Sequence, residues 1–317
     1  MRAMVITRFG GPDVLEVQEI NRPQPAPGEV LVRVIASGTN PVDAKIRQAG
    51  SWAQIPFPAV LGYDISGVVE EVGPGVVEFQ AGDEVFYTPE IFGNSRGSYA
   101  EFNTAPVSIV AKKPLELSHL EAAGIPLAGG TAWEAVVRRL AVRPGETVLI
   151  HGGAGGVGSF AVQFAKAAGA RVIATASEAN HSFVQSLGAD AVVDYRAASA
   201  AEQIMSEAGG SGVDASFDTA GGNVPLSTQV TRPFGRIATI LPPTGDLSLL
   251  YTKNQTLFGT FLTREAARLR EMTPLFERKQ AKVIVDEVLP LEQVAKAHQR
   301  LDAGHGRGKV ILHVSPT

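Results

Sequence analysis

Apolar residues fall in two rhythms along the chain. From 1 to about 118 they come in short runs: "EVLVRVIASG", "ISGVVEEVG", "DEVFYT" and "SYAEFNTAP" each read as a strand. Turn signals at Pro27–Gly28, Pro74–Gly75 and Gly82–Asp83 part them, which predicts a compact β barrel or sandwich. "SHLEAAGIPLAGGTAWEAVVRRL" then carries a helical pattern, with Ser118 as N-cap and Glu121 completing a capping box; Gly129–Gly130 is expected to interrupt it. From about 145 strands and helices alternate, and "TVLIH", "RVIATAS", "AVVDY", "DASFDTA", "RIATIL" and "TLFGTFL" predict six strands of a doubly wound parallel sheet. Past 263 two amphipathic helices flank the strand "KVIVDEVL" and a last strand, "KVILHV", follows. These extra strands are expected to return to the first domain. The fold class is α/β, divided as 1–118, 119–262 and 263–317.

Composition narrows the function. In 317 residues with a net charge of −4 there is no basic surplus to bind nucleic acid. No N-terminal apolar segment with a small-residue cleavage site and no run of about 18 apolar residues occurs, so no membrane partner is expected and a cytoplasmic location is. Cysteine is absent, which removes disulfides, thiol nucleophiles, thiolate-held zinc and iron–sulfur clusters. The histidines at 119, 151, 181, 298, 305 and 313 show no ligand-pair spacing, so no metal site is expected.

The strongest motif follows the first strand of the alternating region. In "HGGAGGVG", Gly153, Gly155 and Gly158 match the G-x-G-x-x-G fingerprint between a strand and a helix. The first glycine permits the tight turn, the second lets backbone approach a pyrophosphate, and the third allows helix and strand to pack closely. The helix N-terminus supplies free N–H groups and a partial positive charge. Gly153, Ala154, Gly155, Gly156, Val157 and Gly158 are therefore assigned to a dinucleotide. The second strand ends at Ser177, where NAD-binding sites place an acid on the ribose 2′-OH. A small hydroxyl leaves room for a 2′-phosphate, with His181, Tyr195, Arg196 and Arg307 as its candidate partners, so NADPH is the expected cofactor. The other reading is that Ser177 is simply small and the cofactor NADH.

"NPVDAKIRQAG", "FPAVLGYDISGVVEEVGPGVVEFQAGDEVF", "GSYAEF", "IPLAGGTAWEAV", "HGGAGGVG", "SLGADAVVDY" and "GRGKVIL" together resemble the zinc-free branch of the medium-chain dehydrogenase/reductases. Within it they are similar to NADPH-dependent quinone oxidoreductases and alkenal/enone reductases. The resemblance implies a GroES-like catalytic domain completed by the C-terminal segment and a Rossmann domain inserted in it. It also implies homodimers or homotetramers, often joined through the sixth nucleotide-domain strand, here "QTLFGTFL". Zinc-dependent relatives carry Gly-His-Glu where this chain has Gly62-Tyr63-Asp64. Enone reductases place a Lys near Asn180, a departure here.

Without a metal Lewis acid, oxidising a simple alcohol is difficult. Hydride addition to a quinone or to the β-carbon of an enone instead yields a delocalised anion, so the expected partner is a small conjugated carbonyl or quinone. By resemblance Asn40 lies beside the nicotinamide and polarises the acceptor oxygen; alternatively it serves only the turn before Pro41. Tyr63 either donates a hydrogen bond from the lost ligand position or is an ordinary half-buried loop tyrosine. Lys45 either steadies an enolate or is a solvated helix lysine. Thr131 resembles a residue at the nicotinamide end, or is an N-cap, and Leu241 is placed with the cofactor residues. Trp52, Phe57 and Phe92 are candidate pocket walls, each with core packing as its alternative. Asp218, in "FDTAGG", reads as a strand end at the cofactor rather than a base, and no Ser/His/Asp triad is spaced recognisably. Two function classes stand: an NADPH-dependent reductase, and an NADPH-binding regulatory or structural protein with little turnover.

Overall fold

A computed structural model describes residues 1–304 and 306–316, so His305 and Thr317 lie outside the described residues. The chain divides into two compact units. One comprises Met1–Ala128, Thr263–Glu277 and the chain from Val283 onward; the other comprises Gly129–Leu262 and Arg278–Lys282. The sequence boundary at 118 thus differs from the structural one: 119–128 pack with the first unit. The short return at 278–282 has a local cause, since the Gln163 amide accepts from the Lys282 N–H (2.8 Å) and donates to its carbonyl (3.1 Å).

The first unit is built on Glu29–Gly38, a strand with Val30, Leu31, Val32 and Val34 wholly buried. It pairs antiparallel with Ile65–Val72, Phe102–Pro106 and Lys309–His313. Burial on both faces explains why its sequence is a continuous apolar run rather than an alternation. Lys309–His313 in turn carries Val285–Pro290 in parallel, so the C-terminal strands complete a sheet begun at residue 29. Glu84–Tyr87 and Ala111–Lys112 extend this sheet beyond Ile65–Val72, and Glu16–Glu19, Arg2–Ile6 and Ala59–Val60 form a separate three-stranded sheet. Of "SYAEFNTAP" only Phe102–Pro106 is strand. Pro41–Ala49 is a helix opened by Asn40 and Pro41, with Asp43 closing a capping box.

The second unit is a six-stranded, all-parallel sheet. Its order is Ala191–Asp194, Arg171–Ala176, Thr147–His151, Val213–Asp218, Thr231–Thr239, Thr256–Gly259. The strand order reverses between Thr147–His151 and Val213–Asp218, the switch point at whose carboxyl ends such folds bind ligands. Leu149, Ile173, Val193, Ile204, Val213 and Val230 pack as one apolar cluster in this unit.

The helical pattern after Ser118 breaks elsewhere than expected. The capping box between Ser118 and Glu121 opens a short helix, His119–Ala122, and the next runs Pro126–Trp133 straight through Gly129–Gly130. Proline disfavours helical backbone in the residue before it yet suits the first turn of a new helix, so Pro126 sets the break. The helix then widens to π geometry over Glu134–Arg139.

Candidate functional site

In the second unit the Thr147–His151 strand runs through a glycine loop into the helix Gly156–Ala167, with Gly155 at its N-cap. The left-handed residue that makes the turn is Gly152 (φ +70°), one position before the fingerprint. Gly153 is instead a packing glycine: a Cβ there would lie 3.0 Å from Ala174 and Val184 side-chain atoms. At Gly158 a Cβ would fall 2.1 Å from the Gly152 carbonyl oxygen, so helix and strand can approach only without one. Gly155 differs. Its φ is −73° and a Cβ would meet nothing nearer than the Gly152 oxygen at 3.5 Å. Neither conformation nor internal packing requires glycine there; its lack of a side chain keeps the approach to the first-turn N–H groups clear. The loop thus fits a pyrophosphate.

Neighbouring loops hold the cradle. Thr175 receives the Gly152 N–H on its hydroxyl (3.2 Å) and the Gly153 N–H on its carbonyl (2.9 Å). The Thr219 hydroxyl donates to the His151 carbonyl (2.6 Å). Asp218, fully buried, accepts the N–H groups of Ala220 (3.1 Å), Gly221 (2.8 Å) and Asn223 (2.8 Å) and the Asn223 amide (3.0 Å). Its oxygens shape the loop, leaving no base to offer. Leu241 is bonded by its backbone to the Thr239 hydroxyl and lies where a Cβ on Gly221 would touch it at 2.5 Å. Burial holds His151 down to about 4, neutral beside Ser227 at 3.1 Å.

At the end of Arg171–Ala176, Ser177 accepts from the Asn180 amide (3.1 Å). The buried Nε2 of His181 meets no protein partner among the described residues. Tyr195 is half exposed, with the Arg196 guanidinium 5.1 Å from its ring centre. Arg307 belongs to the first unit and is exposed. Thr131 lies inside the Pro126–Trp133 helix, so it is no N-cap, and it is buried.

The first unit holds a buried polar cluster that local sequence did not reveal. The Lys309 ammonium donates to the Thr39 carbonyl (2.8 Å), to Asn40 Oδ1 and to Asp64 Oδ2 (3.0 Å), which uses all three of its N–H groups. Asp64 Oδ2 also accepts from Asn40 Nδ2 (2.8 Å) and Oδ1 from the Leu127 N–H (2.7 Å). Asn40, Asp64 and Lys309 are each less than 5% exposed. Burial pushes the Asp64 carboxyl up, against the pull of Lys309 and these donors. Asn40 therefore does more than cap a turn. Tyr63, next to Asp64, is fully buried, its hydroxyl without a partner among the described residues and driven to high pKa by burial.

Other candidates separate. Lys45 is exposed, away from the buried face Asp43, Ala44, Ile46 and Arg47 of its helix. Trp52, Phe57 and Phe92 are 44%, 40% and 49% exposed, so core packing does not account for them. Trp52 meets Phe92 edge-on (5.9 Å) and Phe57 meets Phe9 edge-on (4.9 Å), two separate aromatic pairs. The fold also assembles a triad-like row that spacing concealed: Ser66 Oγ lies 2.7 Å from His119 Nδ1, and His119 Nε2 3.2 Å from Glu84 Oε1. Ser66 is wholly buried and Glu84 also pairs with Lys113 (3.1 Å), so the row stitches strands together and no acyl substrate can reach it. Among the described residues no three His, Cys, Asp or Glu side chains converge as a metal site, and no helix is long and apolar enough to cross a membrane.

With a switch-point cradle in one unit and a GroES-type sheet in the other, comparisons agree on the class. The alcohol dehydrogenase GroES-like domain matches residues 26–115 and the zinc-binding dehydrogenase family 187–312. An NADPH-dependent alkenal/one oxidoreductase of Arabidopsis thaliana chloroplasts is 34% identical over 100% of this chain and 80% of its own. The human quinone oxidoreductase is 33% identical over 98% of this chain and 97% of its own. A solved NAD-dependent alcohol dehydrogenase superposes with a TM-score of 0.93 at 34% identity, over 99% of this chain and 100% of that one. The chain belongs to the medium-chain dehydrogenase/reductase superfamily, in the group of quinone oxidoreductases and alkenal/one oxidoreductases. An NAD(P)H cofactor is typical of that family.

Proposed function

We propose that the protein is an NADPH-dependent, metal-independent reductase of quinones or of α,β-unsaturated ketones and aldehydes. The observation that carries the acceptor class is Asp64. Its oxygens are taken by Lys309, Asn40 and the Leu127 N–H, so the carboxylate beside the position of a family zinc ligand already holds a cation of the chain's own. Tyr63 at that position is a poor metal ligand while its hydroxyl stays protonated.

NADPH, when bound, supplies the hydride that turns an enone into an enolate or a quinone into a hydroquinone anion. Gly153 through Gly158 would hold its pyrophosphate, and Ser177, His181, Tyr195 and Arg196 its 2′-phosphate, with Arg307, Thr131 and Leu241 as further contacts. Asn40 presents an amide N–H to the acceptor oxygen, where the electron pair collects. Because conjugation spreads that charge, one neutral donor serves where an alkoxide would need a Lewis acid. Trp52, Phe57 and Phe92 bind the flat acceptor, and solvent returns the proton. The edge strand Thr256–Gly259, with Tyr251 and Phe261 exposed near it, is the surface a second copy would cover.

The test is NADPH consumption by chelator-treated protein with an ortho-quinone and a short enone, run beside a primary alcohol with NADP⁺. Turnover with either conjugated acceptor and none with the alcohol is expected. Alcohol turnover alone overturns the reading. NADPH binding without any turnover supports the binding-only alternative instead.

A further inference from the structure

Lys309 and Asn40 are 269 positions apart, yet the lysine ammonium bonds the asparagine amide oxygen inside the first unit. A primary amide can flip, exchanging its oxygen and nitrogen, and the two orientations present opposite hydrogen-bonding groups. Here the flip is closed from both ends. The oxygen faces a cation that can only donate, and the nitrogen faces Asp64, a carboxylate that can only accept. A flipped amide would set N–H against ammonium and C=O against carboxylate, two like-polarity contacts where little water screens them.

The same clamp divides the nitrogen's hydrogens. One is bonded to Asp64 at 2.8 Å, and among the described residues the second meets no acceptor. A cation on the amide oxygen withdraws density from the nitrogen and strengthens that remaining N–H as a donor. Lys309 itself has no N–H left, since its three are directed to Thr39, Asn40 and Asp64.

We propose that Lys309 is a positioning residue for the reduction: through Asn40 it fixes and polarises the single N–H that receives the acceptor's oxygen. The proposal rests on the reading that Asn40 contacts the acceptor, and it assigns to Lys309 no contact with substrate.

A double-mutant cycle separates the two ideas. Asn40→Ala, Lys309→Met and the double variant are compared by kcat and by KM for the acceptor and for NADPH, per mole of folded protein measured by circular dichroism. Loss of about 100-fold in kcat is expected for Asn40→Ala, the scale of one lost donor to a developing oxyanion. About 10-fold is expected for Lys309→Met, with KM for NADPH unchanged, and Lys309→Met should cost almost nothing further once Asn40 is alanine. Lys309→Arg keeps the buried charge and should restore part of the loss; it replaces Lys309→Met in the cycle if the latter does not fold. Additive losses, or a Lys309 variant with wild-type kcat per folded molecule, overturn the role of Lys309. An Asn40→Ala enzyme with unchanged kcat overturns the underlying reading instead. As a readout free of turnover, the Asn40 side-chain ¹⁵NH₂ resonances, identified by their loss in Asn40→Ala, should shift in Lys309→Met; unchanged resonances count against the clamp.

Discussion

The Tyr99 hydroxyl donates to Asp43 Oδ2 at 2.7 Å and has His298 Nε2 on its other side at 3.2 Å, with all three residues fully buried. This row joins the helix that follows Asn40 to the C-terminal helix Val294–Ala303. Burial raises the Asp43 carboxyl to about 7 and lowers the His298 imidazole to about 3.

The two shifts pull stability in opposite directions with pH. Folded Asp43 keeps its proton to about pH 7, whereas an unfolded aspartate loses it near 4. Between those values the folded state binds more protons, so this contribution is present below about pH 4 and is lost as pH rises through 7. Each tenfold change in proton affinity is about 1.4 kcal/mol. His298 acts oppositely: it stays neutral when folded, so its contribution is lost as pH falls from about 6.5 towards 3. Asp43→Asn keeps the acceptor for Tyr99 and removes the ionisation. Relative to wild type, the urea midpoint at pH 8 should therefore rise against that at pH 5, leaving the opposite slope of His298, and an unchanged difference would show that Asp43 does not titrate in this window.

Gly155→Ala and Gly158→Ala should fail for different reasons. Alanine fits the backbone at 155 and touches nothing within 3.4 Å, so the variant should melt within about 2 °C of wild type yet bind NADPH at least about 10-fold more weakly. At 158 the added methyl meets the Gly152 carbonyl at 2.1 Å, and the melting temperature itself should fall by several degrees. Thermal melts and fluorescence titration check both; equal NADPH affinity in Gly155→Ala and wild type would remove that residue from the cradle.

Cofactor choice should follow the end of the second Rossmann strand. Ser177→Asp puts a carboxylate where a 2′-phosphate would lie, and the ratio of kcat/KM for NADPH over NADH should drop at least about 10-fold, roughly 1.4 kcal/mol. His181→Leu should lower the same ratio by removing a buried nitrogen that has no partner among the described residues. A ratio unmoved by both substitutions would mean the site does not read the phosphate.

The Ser66–His119–Glu84 row should matter to folding alone. Burial lowers the His119 imidazole, outweighing the pull of Glu84, so the ring is largely neutral at pH 7 and acts as a hydrogen-bonding strut. His119→Leu removes the short bond to Ser66 and the contact with Glu84, leaving the Ser66 hydroxyl only the longer bond to the Val85 carbonyl (3.4 Å), and should reduce stability by about 1–2 kcal/mol while leaving kcat per folded molecule unchanged. A fall in kcat at constant folded fraction would contradict this assignment.

What the sequence by itself determined is local. Alternating apolar runs located the six Rossmann strands, the run "EVLVRVIASG" located the central strand of the first unit, and Ser118 with Glu121 located a helix start. Each depends on period, propensity or capping within a few residues. The fingerprint glycines were legible for the same reason, although their division of labour was not: whether a glycine turns, packs or opens space depends on what lies across from it, and Gly152 took the turn. Only the tertiary structure decided the chemistry of the first unit. A lysine opening a strand and an aspartate in an apolar stretch are ambiguous by themselves, because a buried charge is tolerable only when a partner arrives from elsewhere. Pairing Lys309–His313 against Glu29–Gly38 brings that partner in, setting Lys309 on Asp64 and Asn40. The exposure of Trp52, Phe57 and Phe92 was likewise undecidable, since an aromatic side chain suits a core and a ligand surface equally until the packing around it is known.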